Sequence, residues 1–218
     1  MSITAKHVHK TIGKPPTRIL HDISLEIKEG EFISLTGRSG SGKSSLLYLL
    51  SGLDLPSSGS IVLDGHSLLT MSQHELCRFH NEKVGFVFQF HYLVAELNAL
   101  ENVLLPARKA GQTLSRLPHA QSLLEQFDLG KKMNRLPRQL SGGEQQRVAI
   151  ARSLIMDPKY VFADEPTGAL DTVNGELVMS IFRECNAKSG TTIILVTHDP
   201  GFASLAQRQI HMMDGKIT

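Results

Sequence analysis

The chain has 218 residues, 41% of them hydrophobic and 20% charged, with a formal net charge of +2. That is enough for one large domain with a substantial core, and the near balance of charge gives no case for nucleic acid as the main partner. Two cysteines, Cys77 and Cys185, lie far apart without metal-ligand spacing, which fits free thiols in a reducing compartment.

The first residues, Met1 to His7, lack the long apolar run of a secretory signal, and no stretch reaches the roughly 20 apolar residues that span a bilayer. The expectation is a cytosolic chain that meets a membrane only through a partner. Segment 19–31, with Ile23, Leu25 and Ile27 at alternate positions, predicts an antiparallel strand. Next, the continuous apolar run Phe32–Thr36 predicts a strand covered on both faces, as in a mainly parallel α/β sheet.

That strand opens into Gly37-Arg38-Ser39-Gly40-Ser41-Gly42-Lys43-Ser44, the pattern G-x-x-x-x-G-K-S between a strand and a helix. Its glycines permit the backbone angles that turn N–H groups inward around phosphate oxygens. A helix over 43–53, with Leu46, Leu47, Leu49 and Leu50 as its apolar face, aims its positive end at the same place. Lys43 would then reach the β- and γ-phosphates and Ser44 would ligate Mg²⁺, while Ser41 and Ser45 can add contacts. By itself the loop says nucleotide and leaves kinases, GTPases and ATPases open.

Segment 65–140 is richer in helical pattern, and its middle, about 90–136, reads as an inserted helical subdomain extending toward 156. Gln89 sits in the apolar run Gly85-Phe86-Val87-Phe88-Gln89-Phe90, where an unsatisfied amide is costly. It could ligate a metal, position water or bond to backbone. Leu140-Ser141-Gly142-Gly143-Glu144 follows, with Ser141 able to cap a helix over 144–156 and two glycines that let an anion approach the backbone. This is a second potential phosphate site, distinct from the first. Residues 160–163 form another apolar strand ending on Asp164-Glu165, suited to holding a metal (Asp164) and activating water (Glu165). The last apolar strand, 192–197, ends on His198, a candidate donor to a γ-phosphate. Three strands thus end on chemical groups, where ligands bind in such sheets.

Together these motifs resemble an ABC-type ATP-binding cassette over essentially all 218 residues. The resemblance implies an α/β fold with a P-loop NTPase core, an antiparallel β subdomain and an inserted α-helical signature subdomain, all within a single domain, 1–218. It implies ATP and Mg²⁺ as ligands, with Lys43 and Ser44 in the Walker A loop, Asp164 as the Walker B aspartate, Glu165 as catalytic glutamate, Gln89 as the Q-loop residue on the metal and His198 as the switch histidine. A head-to-tail dimer follows from it, in which Ser141 and Gly143 of one chain contact the γ-phosphate held by the other and Asp171, in the D-loop Gly168-Ala169-Leu170-Asp171, crosses the interface. The family's adenine-stacking aromatic matches Ile12 here, so looser discrimination between ATP and GTP is expected.

Ala163-Asp164-Glu165-Pro166-Thr167-Gly168 and Phe88-Gln89-Phe90-His91-Tyr92-Leu93 resemble a narrower group of lipoprotein-releasing, macrolide-export and cell-division ATPases, the second run most resembling the lipoprotein-releasing type. Ala169, where that group usually has Asn, departs from the pattern. The implied partners are a second copy of the chain and integral membrane permease subunits received in a groove over 90–110. The implied place is the cytoplasmic face of a bacterial inner membrane, with no direct lipid contact required. A soluble ABC ATPase acting on nucleic acid or ribosomes lacks support, since those relatives carry two cassettes or a long insert. A regulator that binds ATP without turnover is disfavoured by Glu165 and His198.

Overall fold

The structure, a computed structural model, describes residues 2–218. In chain order it runs β1 (Ser2–Ile12), β2 (Thr17–Lys28), β3 (Phe32–Thr36), α1 (Lys43–Ser51), β4 (Ser58–Leu63), β5 (His66–Ser67), α2 (Gln73–Lys83) and β6 (Val84–Val87). There follow α3 (Ala99–Lys109), α4 (Thr113–Gln126), α5 (Gly142–Leu154), β7 (Tyr160–Asp164), α6 (Thr172–Ser189), β8 (Thr192–Val196), α7 (Pro200–Ala203), β9 (Arg208–Met213) and β10 (Lys216–Ile217).

Two sheets result. A six-stranded sheet has the order β10-β9-β3-β8-β7-β6, parallel from β9 to β6 with β10 added antiparallel at one edge. A second, four-stranded sheet, β2-β1-β4-β5, is antiparallel throughout. The apolar runs of the first sheet are continuous because both faces are buried. On β8, Ile193 and Leu195 enter one hydrophobic core, and Ile194 and Val196 enter the other. Along β7, Val161 and Ala163 face the first core, and Tyr160 and Phe162 the second. The first core is completed by α3, α4, α5 and α6, and the second by α1 and the antiparallel sheet.

The helices between residues 99 and 154 are locally specified. Asn98 caps α3 and Ser141 caps α5, each with a reciprocal glutamate three residues on. Asn102, fully buried, donates its amide to Val94 O, Leu97 O and Asn98 O and accepts from Val94 N–H, which fixes the turn leading into α3. Among the described residues no helix is long and apolar enough to cross a membrane.

Candidate functional site

The three central strands β3, β8 and β7 lie side by side, so the loops after their carboxyl ends converge. They enclose a cavity of about 500 Å³ lined by Gly37, Ser39, Gly40, Gly42, Lys43, Ser44 and Ser45 from one loop, and by Asp164, Glu165 and Gly168 from another. Gln89, Val196, His198 and, from the antiparallel sheet, Ile12 and Ile19 complete it.

The phosphate-loop geometry needs its glycines. Gly37 has φ +137°, and a Cβ there would stand 2.2 Å from Met212 O. Gly42, at φ +97°, caps α1 with no side-chain acceptor, so the first amides of the helix are left for a ligand. Lys43 is buried, and its ammonium donates to the carbonyls of Gly37 and Arg38, both at 2.9 Å. Two predicted members of the loop stand apart. Arg38 is exposed and borders a neighbouring cavity beside Thr197, and the Ser41 hydroxyl is buried beneath the loop without a hydrogen-bond partner.

The acidic pair is compensated within the chain itself. Asp164 is only 5% exposed, and both its oxygens are engaged: Ser44 Oγ donates to Oδ1 and Tyr48 Oη to Oδ2, each at 2.9 Å. Two hydroxyls from successive turns of α1 thus offset the desolvation of the carboxylate. Tyr48 carries no signal in the sequence beyond its helical position. Its phenol is pushed up to about 12 by burial first and by the Asp164 carboxylate second. Glu165 begins the following turn at φ +49°, its N–H held by Val196 O at 3.0 Å. Its Oε2 lies 2.9 Å from Nδ1 of His198, whose ring is otherwise largely exposed.

Gln89 corrects a premise. The sequence places it inside an apolar run, but β6 ends at Val87 and Gln89 lies exposed in the bend beyond, so its amide has no burial cost to offset. It reaches the cavity wall because the chain surfaces there. Both cysteines are free: Cys77 is exposed, and Cys185 is half-buried with its thiol pushed up by burial.

The segment Leu140–Glu144 does not line this cavity. Leu140 is buried, and Ser141 and Gly142 are exposed at the start of α5. Ser141 Oγ accepts from Glu144 N–H at 3.3 Å, and the Glu144 carboxylate accepts from Ser141 N–H at 2.8 Å and pairs with Lys132. That ammonium, more than any other neighbour, holds the Glu144 carboxyl below its ordinary value. Gly143 packs on Leu170. Asp171 is exposed and caps α6, accepting from Asn174 N–H at 2.9 Å and Nδ2 at 2.6 Å. These residues form a second surface on the same chain, separate from the first.

Among the described residues no group of three or more His, Cys, Asp or Glu could hold a metal. An ion here must therefore take much of its coordination from phosphate and water, as Mg²⁺ does in phosphoryl-transfer sites. Ser44, Asp164 and Gln89 bear oxygens on this cavity, of the kind that a hard cation prefers. A second cavity, about 380 Å³, lies among α2, β6, α3 and α5 and is lined by Leu53, Val84, Phe86, Phe88, Pro106, Met156 and Arg152. Phe90 and Tyr92, on the chain just beyond Phe88, are 68% and 64% exposed.

Comparison with known proteins agrees with this architecture. The sequence profile of the ABC transporter family matches residues 20–168. The lipoprotein-releasing system ATP-binding protein LolD of Leptospira interrogans is 52% identical over 215 residues, covering 99% of this chain and 90% of that protein. LolD of Aquifex aeolicus is 50% identical over 200 residues, 91% of this chain and 89% of that one. The macrolide export ATP-binding/permease protein MacB of Campylobacter jejuni is 46% identical over 99% of this chain but only 33% of its own length. Among solved structures, the dimeric post-hydrolysis state of the ATP-binding cassette MJ0796 bound to ADP and Pi superposes with a TM-score of 0.91 at 39% identity, covering 99% of this chain and 96% of that one. With its phosphate loop, its strand-end acids and a matching profile over most of its length, this chain belongs to the ABC transporter family of ATP-binding subunits.

Proposed function

We propose that the chain is the ATP-hydrolysing subunit of a membrane transporter, that two copies close head to tail on ATP, and that the complex releases lipoproteins from the inner membrane. The observation that carries the chemistry is the convergence of Lys43, Ser44, Asp164, Glu165 and His198 on one cavity. The lipoprotein reading is supported by relatives named LolD that match almost end to end. The macrolide-export relative joins cassette and permease in one name, and this chain matches only a third of it.

In this reading the α1 amides and Lys43 bind the phosphates, and Lys43 exchanges the carbonyls of Gly37 and Arg38 for phosphate oxygens. Ser44, Asp164 and Gln89 would hold Mg²⁺, which when bound neutralises charge on the phosphate oxygens. Glu165 orients the attacking water and takes its proton. With Glu165 ionised, Nδ1 of His198 carries the proton that faces Oε2. A hydrogen bond from Nε2 to phosphate then requires a second proton on that ring. Ser141 and Gly143 complete the partner's site, with Asp171 beside them. Residues of about 90–136, extending toward 156, act as the signature subdomain, and the groove over 90–110 receives the permease's cytoplasmic segment.

Glu165→Gln tests the assignment. ATP binding is retained, hydrolysis slows by about 100-fold or more, and an ATP-bound dimer accumulates on gel filtration; unchanged turnover removes Glu165 from the role. A permease with few spans and a large periplasmic domain co-purifies from membranes if the transport reading holds.

A further inference from the structure

Gln146 stands one and a half turns into α5 and is fully buried, an unusual place for an amide unless every polar atom is satisfied. Its Nε2 donates to Phe88 O at 3.2 Å and to Pro166 O at 3.1 Å, and its Oε1 faces His91 Nδ1 at 2.5 Å. Since both amide hydrogens go to carbonyls, Oε1 can only accept, and Nδ1 of His91 carries the proton there. Phe88 precedes Gln89, and Pro166 follows Glu165. One side chain is thereby bonded to the backbone beside both residues that reach the cavity from different loops.

The attachment is reinforced from the same helix. Arg152 donates to His91 O at 2.9 Å and to Tyr92 O at 2.8 Å, so α5 grips segment 88–92 at Phe88 O, the His91 ring, His91 O and Tyr92 O. At the other end of α5 stands Ser141, five residues before Gln146, about 7.5 Å along the axis. A helix transmits an axial displacement over that distance as a rigid body, because its hydrogen bonds do not stretch appreciably.

The geometry points to Gln146 as a positioning residue that couples the Ser141 end of α5 to the loops carrying Gln89 and Glu165 in its own chain. Engagement of Ser141 by a nucleotide in the partner shifts α5, and the amide moves the backbone on either side of the cavity together. Gln146 touches no reacting atom; it acts through Phe88 and Pro166. The proposal rests on the reading of Glu165 as the hydrolytic base.

The test uses the full chain with ATP as the probe. Gln146→Met keeps the length of the side chain and removes all three hydrogen bonds. Its kcat should fall by about 10- to 100-fold, the loss that a small misplacement of a catalytic group produces, with KM within about threefold of wild type. Amide hydrogen exchange in 88–92 and 166–170 should quicken by roughly tenfold while β3 and β8 stay protected. His91→Leu, at a half-buried position, removes only the partner of Oε1 and should move both readouts in the same direction by about two- to fivefold, which keeps the proposal testable if Gln146→Met does not fold. Unchanged kcat or unchanged exchange in 88–92 in either folded variant overturns the coupling. So does a loss of kcat accompanied by faster exchange throughout β3 and β8, which marks a purely structural role. If wild type itself hydrolyses no ATP, the base assignment fails, while the exchange measurement still decides whether Gln146 holds the two loops.

Discussion

Replacing Tyr48 by phenylalanine removes one hydroxyl and leaves a ring of the same shape beside Phe88, whose centroid lies 6.4 Å away. The lost bond is the 2.9 Å donation to Asp164 Oδ2, on a carboxylate that is 5% exposed. A hydrogen bond to a charged group contributes about 1.5–3 kcal/mol, and water can replace it only in part at so buried an acceptor. For a chain of this size each kcal/mol moves Tm by about 2–4 °C, so Tyr48→Phe should lower Tm by roughly 3–12 °C at neutral pH. The pH dependence gives an independent check. The fold raises the phenol of Tyr48 from 10.0 to about 12, so the folded protein holds that proton more tightly than the unfolded chain does. Its contribution is complete below about pH 10 and disappears as pH rises through about 12. The stability gap between wild type and variant should therefore be full at neutral pH and close over that window; Tyr160, also raised by burial, titrates in both proteins. Urea unfolding at a series of pH values measures the gap. A Tm within about 1 °C of wild type, together with parallel alkaline limbs, would refute the claim that Tyr48 holds Asp164.

Lys43→Ala should weaken ATP binding by roughly 10- to 100-fold through loss of charged hydrogen bonds to phosphate, and normal affinity by calorimetry would take Lys43 out of the site. The aliphatic side chains of Ile12 and Ile19 line the cavity, and in the proposed reading they face the base; apolar contacts reject an analogue by at most about 100-fold. GTP should therefore compete with ATP within about tenfold to a hundredfold, and a stronger ATP preference in competition binding would count against Ile12 as a base contact.

The parts of this fold that announce themselves in sequence are those where burial and chemistry coincide. Runs 32–36, 160–163 and 192–197 are continuous in apolar residues because helices cover one face and α1 with the second sheet covers the other. Strand β1 escaped notice because register shifts after Ala5 and Val8 break its alternation, and Lys6, His7, His9 and Lys10 interrupt the buried set Ile3, Ala5 and Val8. The 18-residue α6 was hidden for another reason. Its start signal, Asp171 as cap, sits in a motif read for another role, although Gly190 at φ +66° closes the helix as its sequence suggests. Gln89 lies shallower than its neighbours in sequence imply, because an apolar neighbourhood along the chain is not one in space. Tyr48 and Gln146 were missed since each looks like an ordinary helix residue until the partner loops, distant in sequence, arrive beside it.

Lys43 has a kinetic consequence. With its ammonium anchored on Gly37 O and Arg38 O, the loop is braced from within by its own cation. In the proposed reading, nucleotide capture swaps those carbonyl oxygens for phosphate oxygens on a loop already held in place, and its on-rate should follow diffusion and ionic strength.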